Sequence, residues 1–479
     1  MKSFYITTTL PYVNSDPHVG FAMEIIRADI IARYKKLAGF EVYFNTGTDE
    51  HGQKIFQKAT EAGKDPQTYV DEWAQKFKGL ITLLNLSPDI HFIRTTDARH
   101  KAAAQEFWKR CDANGDIYKQ NYKIKYCVGC ELEKQESELV DGKCPIHPQL
   151  ELEIREEENY FFRWSKYQDK LLDLYKQNPK LVIPDFRFNE IKAFVERGLQ
   201  DFSISRLKTK MPWGIEVPGD SEHVMYVWFD ALVNYISTLG WPEAGANSEY
   251  EKFWVNGNPV QYAGKDNLRQ QSAMWQAMLL SAGLTPTCNI VIDGFINSGG
   301  QKMSKSLGNV ISPYDVVQEY GTDALRYYVA RELSTFEDSD MTMEKFKESY
   351  NANLANGIGN LTSRIMKMAA DNLEEPAVVN ESEKFEEYFS YLENFEIGKA
   401  ANYVWEKIGE LDRFIQENQP FKVVKTDPEQ GREMIRDLVG RLYSVAQMIG
   451  PLMPVTSEKI IKLIKENKTP EAPLFARKD

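Results

Sequence analysis

Two strand–loop–helix units in succession open the chain and restrict it to few architectures. SFYITTTLPYV (Ser3 to Val13) is β-branched and aromatic, and NSDPHVG interrupts it. FAMEIIRADIIARYKKLAGF then places apolar residues at helical spacing and ends on a glycine. GFEVYFNTGTDEHG repeats the pattern, its apolar run from Val42 to Phe44 ending in a polar, glycine-rich turn ahead of QKIFQKATEAG. Consecutive β-α units predict an α/β fold built on a doubly wound parallel sheet, which binds ligands at the carboxyl ends of its strands.

Near Asp116 the character changes to YKQNYKIKYCVGCELEKQESELVDGKCPIHPQ, short, polar and rich in cysteine, which reads as an insertion. Strand and helix signals return at HVMYVWFDALVNYISTLG, continue through PVQYAGKDNLRQQSAMWQAMLLSAG and end at CNIVIDGFIN. From about Asn351 onward nearly everything is amphipathic helix, as in ENFEIGKAANYVWEKIGELDRFIQEN. The expected division is residues 1–115 for the first half of the core, 116–225 for the insertion and 226–295 for the second half of the core. A loop-bearing segment at 296–350 and an all-α helical bundle at 351–479 follow.

The formal net charge is -12, which excludes a general nucleic-acid coat or a binder of anionic membranes, since both need broad positive surface. A nucleic-acid partner must meet local patches. MKSFYITTTLPY enters strand-like residues without an apolar signal core, and no run of about 18 apolar residues follows, so a cytoplasmic protein with no membrane partner is expected. Of five cysteines, Cys127, Cys130 and Cys144 cluster while Cys111 and Cys288 stand apart, unlike an even-numbered disulfide framework.

Several constellations carry chemistry. Pro17-His18-Val19-Gly20 lies in the loop after the first strand, where a histidine can donate to a phosphate oxygen and a glycine lets a flat base approach; a structural role suits these residues too. Lys302-Met303-Ser304-Lys305-Ser306 sets two ammonium groups three residues apart, enough to hold a triphosphate, although a solvated loop fits the local sequence equally. No G-x-x-x-x-G-K-[ST] or G-x-G-x-x-G fingerprint accompanies them. Cys127-x2-Cys130 with Cys144-x2-His147 has the paired spacing of a tetrahedral zinc knuckle, closed and therefore structural. GTDEHG offers Asp49, Glu50 and His51 at a strand-to-helix turn, where Asp49 binds an amine or merely caps the helix. Trp228, Ala231 and Tyr235 recur at helical spacing, a core face or an aromatic pocket suited to a thioether.

PYVNSDPHVG, TGTDEHGQKI, FSISRLK, YVWFDA, GKD and KMSKSLGNV occur in the order seen in methionyl-tRNA synthetases and span nearly the whole chain. The chain resembles that class I family, in its single-knuckle form without the large editing insertion of the leucine, isoleucine and valine enzymes. The resemblance implies a Rossmann catalytic core split by a zinc-containing connective insertion, a stem-contact segment holding KMSKS, and a helical anticodon-binding domain. It implies attack of the methionine carboxylate on the ATP α-phosphate, then transfer to the 3′-terminal adenosine of tRNA(Met), with Mg2+ accompanying ATP and one structural Zn2+. His18, Lys302 and Lys305 would stabilise charge on the phosphates, Gly20 would leave room for adenine, and Lys265 and Asp266 would approach ATP and its ribose. Leu10, Tyr12, Trp228, Ala231, Tyr235 and Phe295 would line the methionine pocket, with Asp49 on the α-amino group and Arg206 as its ionic partner. Asn360 and Arg364, four apart on one helix face, and Phe421 after Pro420 would meet the anticodon.

The chain departs from the family at Phe21, Gln271 and Asp293, each standing where histidine is usual, and at Phe421 in place of tryptophan. Those changes open the rival reading of an RNA-binding relative without adenylate chemistry. A nucleotidyltransferase for a small metabolite is the other rival, and it has no need of the NLTSR helix. With no appended tRNA-binding domain after the last helix, a monomer is expected.

Overall fold

The structure, a computed structural model, describes residues 2–130, 132–134, 138–243, 245, 247–303, 308–381 and 383–479. It divides into two compact units, one of Met1–Asp16, Glu41–Gly79 and Asp89–Ile292, the other of Pro17–Phe40, Leu80–Pro88 and Asp293–Asp479.

The first unit is built on a six-stranded sheet in the order His91–Arg94, Glu41–Thr48, Ser3–Thr7, Pro259–Gly264, Asn289–Asp293, Val182–Ile183. Ser3–Thr7 pairs in parallel with strands on both of its edges. Its side chains Phe4, Tyr5 and Ile6 are buried regardless of which face they occupy, as a parallel strand covered on both sides requires. From this strand the chain first adds Glu41–Thr48 and His91–Arg94 on one side, then returns to add Pro259–Gly264 on the other. The order therefore reverses beside Ser3–Thr7, and loops leaving the carboxyl ends there diverge into a crevice. The doubly wound expectation is met.

The insertion is an antiparallel pair, Ile117–Cys127 with Glu153–Phe162, in register from Ile117 opposite Phe162 to Tyr126 opposite Glu153. Cys127 ends the first of these strands, and Cys130, Cys144 and His147 lie in the connection to the second. One feature of the insertion was not anticipated: Val182–Ile183, inside the span 116–225, pairs in parallel with Asn289–Asp293 and so joins the core sheet. Two residues are too few to show periodicity, which is why this strand left no sequence signal.

In the second unit the helix Val19–Leu37 buries four charged side chains, Glu24, Arg27, Asp29 and Lys35. Asp29 accepts from Arg33 Nε and the Ser87 N–H, both at 2.7 Å, and pairs with Arg326 Nη2 at 2.8 Å. Arg326 also donates to the carbonyl oxygens of Leu84, Leu452 and Pro451. One ion pair thus ties the helix to the segment 80–88 and to the carboxyl-terminal helices. Those helices show the expected period: Val404, Ile408, Leu411 and Ile415 of Ile397–Asn418 are buried, as are Leu438, Leu442 and Val445 of Pro428–Ile449. No helix among the described residues is long and apolar enough to cross a membrane.

Burial opposes ionisation of Asp29, but Arg326, then Arg33 and the Ser87 N–H, outweigh it and hold the carboxyl below its ordinary value. Because its folded pKa is depressed, its contribution to stability is present above the ordinary carboxylate range and is lost as pH falls through the folded value. Asp29→Asn should destabilise the fold by about 3–5 kcal/mol, because it leaves a buried arginine unpaired. Urea unfolding of wild type and variant, repeated from pH 7 down to acid, should show the gap narrowing in the acid range; equal stability at pH 7 would overturn this account.

Candidate active site

A cavity of about 310 Å³ opens at the strand reversal, within the usual range of small-molecule sites of roughly 300–1,000 Å³. Leu10, Tyr12, Asp49, Trp228, Ala231 and Tyr235, six residues singled out from sequence, all line it. The loop after Ser3–Thr7 supplies Leu10 and Tyr12. Two backbone bonds hold that loop against the GTDEHG turn: Asp49 N–H donates to Pro11 O and Val13 N–H to Asp49 O, at 3.0 and 3.3 Å. Trp228 and Ala231 come from the short helix Val227–Ala231, and Tyr235 from Asn234–Ser237. The arrangement sets a carboxylate at one side of a pocket walled by rings.

The three acid and base groups of GTDEHG part company. Asp49 faces the cavity, whereas Glu50 is buried and accepts two bonds from Arg94, at 2.7 and 2.9 Å. His51 turns to Asp230. Gln271 also lines the cavity: its Nε2 donates to Tyr235 Oη at 2.7 Å while its Oε1 accepts from Gln261 Nε2 at 3.1 Å. A buried amide therefore meets Tyr235. Arg206 is buried, donates to Ser203 Oγ and Ser205 O at 2.7 Å, and lies 4.3 Å from the Tyr226 ring centroid. Lys265 lines a neighbouring cavity, and Asp266 lines both.

His18, Gly20, Phe295 and Lys302 belong to the second unit. His18 caps Val19–Leu37, its Nδ1 accepting the Gly20 N–H at 3.1 Å. A nitrogen that accepts carries no proton, so the ring proton sits on Nε2 as a donor. Burial, then the Lys302 charge, lowers the pKa of His18 and keeps the ring neutral. Gly20 has a local reason of its own: a Cβ there would stand 2.9 Å from His18 Cε1. Lys302, exposed on the short strand Gln301–Lys302, lies 5.3 Å from the Phe295 ring centroid. Lys305 lies outside the described residues. Asp293 is buried against Arg27, with Oδ1 at 3.1 Å from Nη1. Burial pushes its carboxyl up to about 6 against the pull of Arg27.

The ligand atoms of Cys127, Cys130, Cys144 and His147 all lie within 4.8 Å of one another. Cys130 Sγ stands 3.4 Å from Cys144 Sγ and 3.1 Å from His147 Nδ1, and Cys127 Sγ stands 3.8 Å from the same nitrogen. A tetrahedron of sulfur and nitrogen about a zinc-sized ion has edges of roughly 3.5–3.8 Å, so the donors fit a closed metal site. Gly129 completes the cradle: a Cβ there would come 2.6 Å from His147 Cγ. Gly129 and Cys130 also form part of the cavity wall.

Residues 4–151 and 136–366 match the family model described as tRNA synthetases class I (M), and residues 368–473 match the anticodon binding domain of methionyl tRNA ligase. The chain belongs to the methionyl-tRNA synthetase family. The methionine–tRNA ligase of Thermotoga maritima is 41% identical over 98% of this chain and 76% of that protein. That of a Nostoc species is 40% identical over 96% of this chain and 89% of its own length. Among solved structures, Mycobacterium tuberculosis methionyl-tRNA synthetase in complex with methionyl-adenylate superposes with a TM-score of 0.91 at 36% identity, covering 97% of this chain and 94% of that one. The apo form of the same enzyme gives 0.84 at 31%, covering 100% and 99%.

In this methionyl-tRNA synthetase chain the expected anticodon residues lie in the second unit. Asn360 is exposed and Arg364 half-buried on Asn360–Asn372, where Arg364 pairs with Asp412 of Ile397–Asn418. Phe421 is 42% exposed at the start of Pro420–Thr426. Sequence reasoning missed Asp230 and His100: Asp230 pairs with both His51 and His100. Only the acid within the apolar YVWFDA stretch hinted at one of them.

Gly129→Ala should lower zinc affinity by on the order of 10–100-fold, the size of effect seen when a group supporting a ligand is displaced. Chelator competition on the purified protein measures it, and unchanged affinity would mean that His147 is not a ligand.

Proposed function

We infer that this chain is a methionine–tRNA ligase, joining methionine to tRNA(Met) in two steps driven by ATP. The observation that carries the reading is the gathering of six residues, singled out from separate motifs of the sequence, around one cavity at the strand reversal. In the first step the methionine carboxylate attacks the α-phosphorus of ATP and pyrophosphate leaves. In the second a hydroxyl of the 3′-terminal adenosine attacks the methionyl carbonyl and AMP leaves.

Asp49 would take the α-ammonium group, and Leu10, Tyr12, Trp228, Ala231, Tyr235 and Phe295 the side chain, whose polarizable sulfur packs well against rings. Arg206 supports Asp49, and Lys265 and Asp266 approach ATP. His18, through Nε2–H, and Lys302 and Lys305 would stabilise charge building on the phosphates, with Mg2+ entering on ATP. Gly20 keeps the chain narrow beside His18. Cys127, Cys130, Cys144 and His147 would hold one Zn2+, which stiffens the connection between the two long strands of the insertion. The same plan carries the five-part division at 115, 225, 295 and 350, and a monomer in the cytoplasm is its simplest setting. Asn360, Arg364 and Phe421 would meet the anticodon of tRNA(Met), Arg364 exchanging Asp412 for a base.

The replacements at Gln271 and Asp293 do not oppose this reading. Gln271 is engaged with Tyr235, and Asp293 is matched by Arg27.

ATP–pyrophosphate exchange without tRNA, run with methionine, homocysteine, leucine, isoleucine and cysteine, tests activation. Exchange with methionine well above the rest is expected, and Lys302→Ala should reduce it about 10²–10³-fold, as loss of one charge-stabilising group does. No exchange with any amino acid would return the reading to a non-catalytic RNA binder. Phe421→Ala should leave exchange intact and weaken tRNA charging by about 1–3 kcal/mol, the value of one base–aromatic stack. Equal loss in both assays would remove Phe421 from the anticodon contact.

A further inference from the structure

Behind the cavity three titratable side chains form a network that the reaction does not use. His51, His100 and Asp230 are buried almost completely, none above 2% exposed. His51 Nδ1 lies 3.1 Å from Asp230 Oδ2. A carboxylate only accepts, so Nδ1 carries the proton. His100 turns Nε2 to Asp230 Oδ1 at 3.5 Å, ion-pair range but longer than an ordinary hydrogen bond, and sets Nδ1 at 3.0 Å from Ser237 Oγ. Burial opposes the charge on Asp230, yet His51 and then His100 outweigh it and hold the carboxyl below its ordinary value.

None of these four residues lines the cavity, but His51, Asp230 and Ser237 each stand within two positions of one that does. Asp49 precedes His51 by two residues. Trp228 and Ala231 flank Asp230. Tyr235 precedes Ser237 by two, and Ser237 Oγ donates to the carbonyl of Asn234, another lining residue, at 3.4 Å. His100 reaches the network from a separate helix, Ala98–Ala113. The elements that carry the carboxylate side and the ring side of the cavity are therefore joined through one buried charge. A buried ion pair is weak evidence for stability, because desolvation cancels much of the attraction, so a role in fixing geometry is the better account of its presence.

We propose that Asp230 is a positioning residue for the amino acid: its pairing with His51 and His100 sets the spacing between the Asp49 turn and the wall of Trp228, Ala231 and Tyr235. The inference rests on the assignment of this cavity to methionine. Removing the charge without changing the shape loosens that spacing and weakens methionine binding, while the ATP-facing groups are untouched.

The test is methionine-dependent ATP–pyrophosphate exchange with methionine and ATP varied separately, for wild type, Asp230→Asn and Ser237→Ala. Asp230→Asn should raise KM for methionine on the order of tenfold and leave kcat and KM for ATP within about threefold, the signature of lost binding made equally in ground and transition states. Ser237→Ala, which leaves His51, His100 and Asp230 in place and removes the Ser237 contact of His100, should shift the methionine KM in the same direction by less. An unchanged methionine KM in Asp230→Asn, or a parallel loss of methionine affinity, ATP affinity and kcat, overturns the proposal. Should Asp230→Asn fail to fold, Ser237→Ala decides alone, and a methionine KM equal to wild type overturns it. A wild-type chain with no methionine-dependent exchange instead overturns the functional reading on which the inference rests, so the two failures are told apart.

Discussion

Parallel pairing of Ser3–Thr7 on both of its edges is the constraint from which the candidate site follows. The loop that follows this strand runs over the carboxyl ends, where Pro11 to Val13 pair with Asp49 of the neighbouring strand's turn. The loop after Pro259–Gly264 leaves the same edge and brings Asp266 and Asn267. Both backbone directions are fixed before any side chain is chosen, and the side chains then decide what the crevice accepts. Placing the carboxylate of Asp49 beside Tyr12 needs only the two backbone bonds between their loops.

Charge is handled locally throughout. With a formal net charge of -12 the chain cannot rely on a general positive field to gather anionic partners. Buried charges are instead matched one by one: Asp29 with Arg326 and Arg33, Glu50 with Arg94, Asp293 with Arg27, Asp230 with two histidines. Apart from Asp29 with Arg33, one helical turn away, these pairs join segments far apart in sequence. Asp29 and Arg326 lie on different helices, and Asp230 meets His51 from the opposite half of the core. Matching of this kind specifies which segments meet, even where it adds little net stability.

These long-range pairs mark the limit of what could be read from sequence. The β-α units, the insertion, the helical carboxyl-terminal part and the metal knuckle were legible because each rests on local periodicity or short spacing, as in Cys127-x2-Cys130. Six cavity residues were legible through the order of motifs in a known family. Val182–Ile183 was not, since two residues carry no period, nor were His100 and Asp230, separated by well over a hundred positions and joined only in the fold. Glu50 and His51 looked interchangeable with Asp49 as site groups. Glu50 is drawn to Arg94 and His51 to Asp230, and of the three only Asp49 lines the cavity.

The departures from the family acquire a physical sense once their neighbours are known. A histidine beside Tyr235 would meet the phenol with one ring nitrogen; Gln271 meets it with an amide whose carbonyl is already taken by Gln261, so its direction as a donor is set. Asp293 adds a buried negative charge, and Arg27 answers it while also donating to the carbonyl oxygens of Leu333, Ser334 and Thr335. Either change alone in another background would strand a buried polar group at a cost of about 1–3 kcal/mol or more. Here each arrives with its partner in place, so these substitutions read as a rewired support beneath a retained pocket and not as decay of the site.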